Sequence, residues 1–399
     1  MPSNDPRSIL EDDLLERMRE RAETADAENA FPSDDLDALR DIGYLRLLVP
    51  RELGGQGRTL EQAVRCQRRL ASAAPATALA VNMHHVWAAA LGILRERGDE
   101  SGDWMLREIA DGAIYALGIS EPGNDSVLFD STVRAVPHPD GGLVFSGVKI
   151  FTSLSPVWTR LVVFGRDDSG DRPRIRFGVV HREDPGVHVR DDWNTVGMRA
   201  TQSHSTILDE VHVPEERIVG DLPVGPNAEP LTFAIFAAFL LLVGSCYVGV
   251  GQRAIELARE AAQQRRSAAK GMSFADDPQI REIVAGMAMR HLSASVQVES
   301  TARDVDESAP HGSSWFPRLT GASLVAKESA RRLVEDAFEI VGGAGYHADH
   351  ELGRLYRDVA ASIFHPSQAR SVRQTFANWV LGPVGQEPAD ATVPSRLHG

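Results

Sequence analysis

Cysteine is nearly absent from this chain: Cys66 and Cys246 are the two among 399 residues. They fall far apart in helix-like runs. No disulfide framework or cysteine metal set is available, and a reducing, cytoplasmic setting is expected. Positive charge is also short. Lys and Arg number 42 against 56 Asp and Glu, a net charge of −14. With no basic stripe visible, a nucleic-acid surface is excluded. A dinucleotide fingerprint is missing too, because Gly249-Val250-Gly251 sits inside a helix-like run and follows no strand. The N-terminal Met1-Pro2-Ser3-Asn4-Asp5 is polar and acidic, unlike a signal peptide. The run from Leu231 to Val250 reaches membrane-spanning length, yet Gly244, Ser245 and Gly249 interrupt it and it lacks basic flanks. It reads as the buried centre of a helical bundle, and no membrane partner is expected.

What is present falls into regions. Hydrophobic residues make up 43% of the chain, enough at this length for two or three cores. Residues 1–115 read mainly as helices. Ser33 is an expected N-cap with acidic residues behind it, Gly43 an expected stop, and helices are expected from Thr59 to about Ala73 and from Pro75 to Arg97. Residues 116–225 change period. Thr132–Val136, Leu143–Phe145, Leu161–Phe164 and Phe177–Val180 are short β-rich runs separated by turns, which predicts an antiparallel barrel or sandwich. Residues 226–385 return to helical spacing, broken by the polar stretch from Asp304 to Pro317. Residues 386–399 form a proline-bearing tail. The fold class is therefore α+β.

Several residues stand out chemically. Gly342-Gly343 follows a helix ending at Val341; a C-cap explains one glycine, while the pair with Gly345 suggests close approach of another backbone or a ligand. His347 and His350 lie in a loop pattern without a third ligand, which argues against a metal site. His84 and His85 are adjacent on a helix and must point to different sides, so at most one faces a site. Phe151 reads locally as a buried strand residue, Arg199 as a turn residue, and Arg265 as a basic helix end that complements the helix dipole.

The run Phe338–Tyr346, then Tyr356-Arg357-Asp358, then Phe364-His365-Pro366-Ser367 resembles the last helices of the acyl-CoA dehydrogenase superfamily. Ser120-Glu121-Pro122-Gly123, Lys149–Ser153 and Gly197–Ser203 with Val211–Pro214 resemble other segments of that family, and the resemblance covers nearly the whole chain. It implies N-terminal helices, a central β-domain and a C-terminal helical bundle, with FAD as cofactor and FMN as the alternative. It also implies flavin contacts from Ser120, Phe151, Thr152, Ser153 and Arg199. Arg265, Gly342 and Gly343 would act across the interface of a homodimer or homotetramer. The family's catalytic Glu is replaced by His365, and the alternative Glu position by Phe239. That pattern is similar to the flavin-monooxygenase branch, dibenzothiophene monooxygenase-like, in which reduced flavin and O₂ oxygenate a small organic substrate. There His365, His85 and Ser153 are the expected catalytic residues, and a separate flavin reductase is the expected partner. Two alternatives remain: an acyl-CoA dehydrogenase or oxidase with an unusual base, and a flavin-binding homologue without turnover.

Overall fold

The structure, a computed structural model, describes residues 5–382 and 384. The N-terminal part holds helices α1 (Asp12–Glu28), α2 (Ser33–Asp41), α3 (Leu60–Ala71), α4 (Pro75–Glu96) and α5 (Asp103–Ala110). A reciprocal capping box between Thr59 and Gln62 starts α3, satisfying two backbone donors that a helix start leaves open. Ser33 is the first residue of α2, not its cap; Pro32 precedes the helix and no side chain caps it. α4 is buried on almost every face.

The middle of the chain forms one sheet of eight strands: β1 (Tyr115–Gly118), β2 (Arg134–Pro137), β3 (Leu143–Lys149), β4 (Arg160–Asp167), β5 (Arg174–His181), β6 (Val187–Val189), β7 (Thr206–Val213) and β8 (Ile218–Pro223). The order is β6-β7-β3-β2-β4-β5-β8, with β1 paired parallel to β4. Most pairings are antiparallel, as expected, but β4 also pairs parallel with β1 and, at one position, with β2, and among the described residues no pairing closes the sheet into a barrel. Pairing β1 with β4 requires a long excursion between them, and the β2–β3 hairpin occupies it; the parallel ladder is therefore invisible to turn-by-turn reading.

The C-terminal part comprises α6 (Pro230–Gln264), α7 (Pro278–Asp306), α8 (Trp315–Val341), α9 (Glu351–Ala360) and α10 (Ala369–Leu381). α6 is the long apolar run, buried against α3, α4, α7 and α8. Gly249 lets the α3 backbone come close, since a Cβ there would lie 2.3 Å from the Arg68 carbonyl oxygen. By length and composition α4 and α6 could each cross a membrane, but their apolar windows are 94% and 89% buried inside the protein. The expected tail at 386–399 lies outside the described residues.

α9 staples the three regions together. Arg357 pairs with Asp26 of α1, and Asp358 accepts a hydrogen bond from the Met198 backbone N–H in the loop after β6. A Cβ at Gly197 would lie 2.1 Å from the Arg357 carbonyl oxygen, so only glycine fits beneath α9. Arg199 joins the same junction, donating to the Asp26 carbonyl at 2.7 Å and the Thr195 carbonyl at 2.9 Å.

Candidate active site

One cleft of about 2260 Å³ opens where the helices, sheet and bundle meet. A typical small-molecule site is roughly 300–1,000 Å³, so this cleft has room for a ring system and a second molecule together. Leu79 and Met83 of α4, one turn apart, form one wall, and Phe236 and Phe239 of α6 form another. Towards the sheet, Phe151 lies between Trp193 and Phe364, with ring centroids at 5.9 and 5.8 Å. Such walls suit the face of a planar aromatic ligand.

Polar and charged side chains line the rest of the cleft, among them Asp99, Asn124, Asp125, Arg357, Arg370 and Gln374. Ser120, Ser153 and His365 line it. Ser153 belongs to a chain of hydroxyls. Thr201 Oγ1 donates to the Met198 carbonyl at 2.9 Å, lies 2.7 Å from Ser203 Oγ, and Ser203 lies 2.8 Å from Ser153 Oγ. The carbonyl can only accept. Thr201 therefore spends its proton there, Ser203 must donate to Thr201, and Ser153 must donate to Ser203. Ser153 is left with lone pairs alone for the cleft.

His365 follows α9 on the short turn before α10. Its Nδ1 lies 2.8 Å from the hydroxyl of Tyr247 on α6. Lys327 of α8, itself buried, donates to the carbonyls of His365 at 3.1 Å and Ser367 at 2.7 Å. Burial, and then the Lys327 charge, push the imidazole down to about 3. The ring is neutral at ordinary pH.

Glu121 is the buried carboxylate at the cleft. Its Oε1 takes hydrogen bonds from Lys149 Nζ and Ser131, and its Oε2 takes them from the Thr132 N–H and hydroxyl. Burial pushes this carboxyl up, but the Lys149 charge and these hydrogen bonds outweigh burial and hold it below its usual value. A carboxylate so occupied has neither the basicity nor the free lone pair to abstract a substrate proton.

Other expected residues lie elsewhere. His85 is a correction. It sits about 200° around α4 from Met83 and packs edge-on against Tyr44, fully buried, with neither ring nitrogen hydrogen-bonded. His84 is structural: its Nδ1 accepts from the Tyr115 N–H at 3.1 Å, leaving Nε2–H for the Leu45 carbonyl at 2.7 Å. Thr152 is buried behind Phe151 and does not line the cleft. Nor does Arg199, whose donors serve the junction described above. Arg265 donates to the carbonyls of Ile340 and Val341 at 2.6 and 2.7 Å, capping α8. Gly342 adopts φ +69° against that guanidinium, and Gly343 is exposed beside it. Within one chain these three are away from the cleft lining. His350 caps α9, and no metal-ligand group is present among the described residues. Residue-by-residue reading missed Tyr247, Lys327, Thr201, Ser203 and Trp193. The one available signal was Tyr247, a lone phenol in the otherwise apolar run of α6.

Helices, sheet and bundle thus converge on one cleft with an aromatic wall. Models of the acyl-CoA dehydrogenase N-terminal, middle and C-terminal domains match residues 7–113, 116–211 and 238–364. The chain belongs to the acyl-CoA dehydrogenase superfamily. The solved structure of KijD3, in complex with FMN and dTDP-3-amino-2,3,6-trideoxy-4-keto-3-methyl-D-glucose, is 30% identical with a TM-score of 0.83 over 94% of each chain. L-evernosamine nitrososynthase of Micromonospora is 29% identical over 88% of this chain and 84% of its own. Dibenzothiophene monooxygenase of Rhodococcus erythropolis is 28% identical over 91% of this chain and 90% of its own. A putative acyl-CoA dehydrogenase of Bacillus subtilis is 27% identical over 88% of this chain and 91% of its own. The residues present fit a flavin: aromatic surfaces for the ring, and a hydroxyl and an imidazole as polar contacts.

Proposed function

We propose that this chain is a flavin-dependent monooxygenase that uses reduced flavin and O₂ to oxygenate a small amine-bearing or aromatic substrate. One observation carries the reading: the base position holds a neutral imidazole, and the buried carboxylate at the cleft is committed to Lys149. Thioester dehydrogenation needs a carboxylate or equivalent base beside the substrate α-carbon, and among the described residues neither position 365 nor the buried Glu121 supplies a free carboxylate. The relatives that act on an amino sugar and on dibenzothiophene support the same reading.

Reduced flavin, when bound, supplies the electrons for O₂ activation. The protein's part is to bind, orient and exclude water. Phe151, Trp193 and Phe364 would cover the ring system. Ser153 would offer acceptor lone pairs to the N–H of a reduced ring. His365 would offer a hydrogen bond to an oxygen that gains negative charge. Beside a bound ring the apolar α4 and α6 walls would exclude water locally, which would slow loss of hydrogen peroxide. FMN is the proposed form, because capping of α8 by Arg265 and the φ of Gly342 account locally for the glycine turn that pointed to FAD. Lacking a nicotinamide fingerprint, the chain would receive reduced flavin from a separate reductase.

The test compares two reactions of one preparation. Reduced flavin and O₂ should convert an amino sugar nucleotide or an aromatic sulfur heterocycle to an oxygenated product, with His365→Ala diverting oxygen to peroxide. Anaerobic acyl-CoA thioesters should leave the oxidised flavin unbleached. Bleaching by a thioester would return the protein to the dehydrogenases, and no reaction in either arm would favour a flavin-binding homologue without turnover.

A further inference from the structure

We propose that Tyr247 is a positioning residue that locks His365 in its Nε2–H tautomer, so that the imidazole presents a hydrogen-bond donor, not an acceptor, to the cleft. The functional consequence rests on the oxygenase reading above; the tautomer rests on geometry alone.

Tyr247 is fully buried on α6, one turn after Val243, which lines the cleft, while Tyr247 itself does not. Among the described residues, its hydroxyl has a single hydrogen-bond partner, His365 Nδ1 at 2.8 Å. Two arrangements are possible. If the phenol donates, Nδ1 accepts, Nε2 carries the proton, and every polar atom of the pair is used. If Nδ1 donates instead, the phenolic proton is stranded in a fully buried place without an acceptor. A stranded buried donor costs its full desolvation, so the first arrangement wins. Burial also pushes the Tyr247 phenol well up, keeping it protonated and able to donate. The other ring nitrogen, Nε2, has no hydrogen-bond partner among the described residues and is not sealed from solvent, and His365 lines the cleft, so Nε2 opens on it.

Lys327 completes the device without touching the ring. Its two hydrogen bonds hold the carbonyls on either side of Pro366, and these fix where the His365 backbone sits relative to Tyr247. Its charge faces the imidazole and opposes protonation, so the ring remains a neutral donor and does not become an imidazolium. Donor polarity at His365, set by Tyr247 behind the cleft surface, then complements acceptor polarity at Ser153, set by Ser203 and Thr201 beside it on the cleft wall.

The experiment uses full-length, flavin-free protein labelled with ¹⁵N-histidine, with the His365 signals assigned by their loss in His365→Ala. Near neutral pH the wild type should show a pyridine-like Nδ1 and a pyrrole-like Nε2. Tyr247→Phe should give a mixture of tautomers, and in turnover it should raise the peroxide released per substrate oxygenated several-fold while flavin affinity stays unchanged. A pyrrole-like Nδ1 in the wild type, or an unaltered pattern in Tyr247→Phe, overturns the proposal. Should Tyr247→Phe fail to fold, the wild-type spectrum decides by itself. A tautomer that shifts with no change in the peroxide ratio supports the positioning role and sinks the oxygenase reading of His365.

Discussion

An imidazole held down to about 3 by burial and by Lys327 does not change charge between pH 5 and 8. For a group whose folded value lies below its unfolded one, the native state binds fewer protons, so its stability contribution is complete above the ordinary histidine value and declines as pH falls through the window below it. Activity that depends on neutral His365 should therefore show no inflection attributable to it from pH 5 to 8; a pH–rate profile of wild type against His365→Gln checks this. Loss of a single preorganised donor typically costs about 10²–10³ in rate, and His365→Ala should fall in that range. His365→Gln, which keeps an N–H, should lose less. That position 365 lies at the cleft was legible through the family resemblance, because Arg357-Asp358 anchored it where a carboxylate was expected. The division of labour between His84 and His85 was not. Adjacent helix residues announce that they diverge, but which one meets Leu45 and Tyr115 depends on segments 30 to 40 residues away.

At the scale of elements, β3 and the loop after β1 meet in the Lys149–Glu121 pair, whose side chains are fully buried. Removing one partner of such a pair strands the other, at a cost of about 3–5 kcal/mol. Lys149→Met should lose that much by urea unfolding, and the double variant with Glu121→Gln should recover most of it. The α9 staple makes a second test. Burial pushes Asp358 up to about 6 from 3.8, more than the Met198 hydrogen bond lowers it. The fold then binds an extra proton between those values, so stability falls as pH rises through the window. The change is on the order of 3 kcal/mol at about 1.4 kcal/mol per unit. Asp358→Asn keeps the acceptor and should abolish that component, seen as a wild-type-minus-variant difference that moves between pH 4 and 6. Gly197→Ala should loosen the junction by forcing a methyl into the α9 backbone, and proteolysis of the loop would report it.

Across the whole molecule, the cleft exists only because three regions close on it, so a ligand that fills it should stabilise all of them at once. Flavin at a hundred times its dissociation constant should add about 2.7 kcal/mol, visible as one cooperative shift in melting temperature. The outer face of α7 exposes Met289, Leu292 and Val296 at 71, 64 and 56%, spaced three and four residues apart along one stripe. The family resemblance implies a homodimer or homotetramer; if this stripe is its contact, Leu292→Glu should lower the mass seen by light scattering.

Helical and strand periodicities are local, and so the order of helices, sheet and bundle and the burial of α6 could be read along the chain; the place of the imidazole came from the family resemblance. Hydrogen-bond polarity is not local. Tyr247 reaches His365 across 118 positions, β1 lies beside β4 only after an intervening hairpin, and Arg265 finds its acceptors on another helix. Which atoms donate, which histidine faces the cleft and whether a carboxylate is free to act are set by such distant pairings. Buried polar groups must find partners wherever the fold brings them, and only the folded chain decides who those partners are.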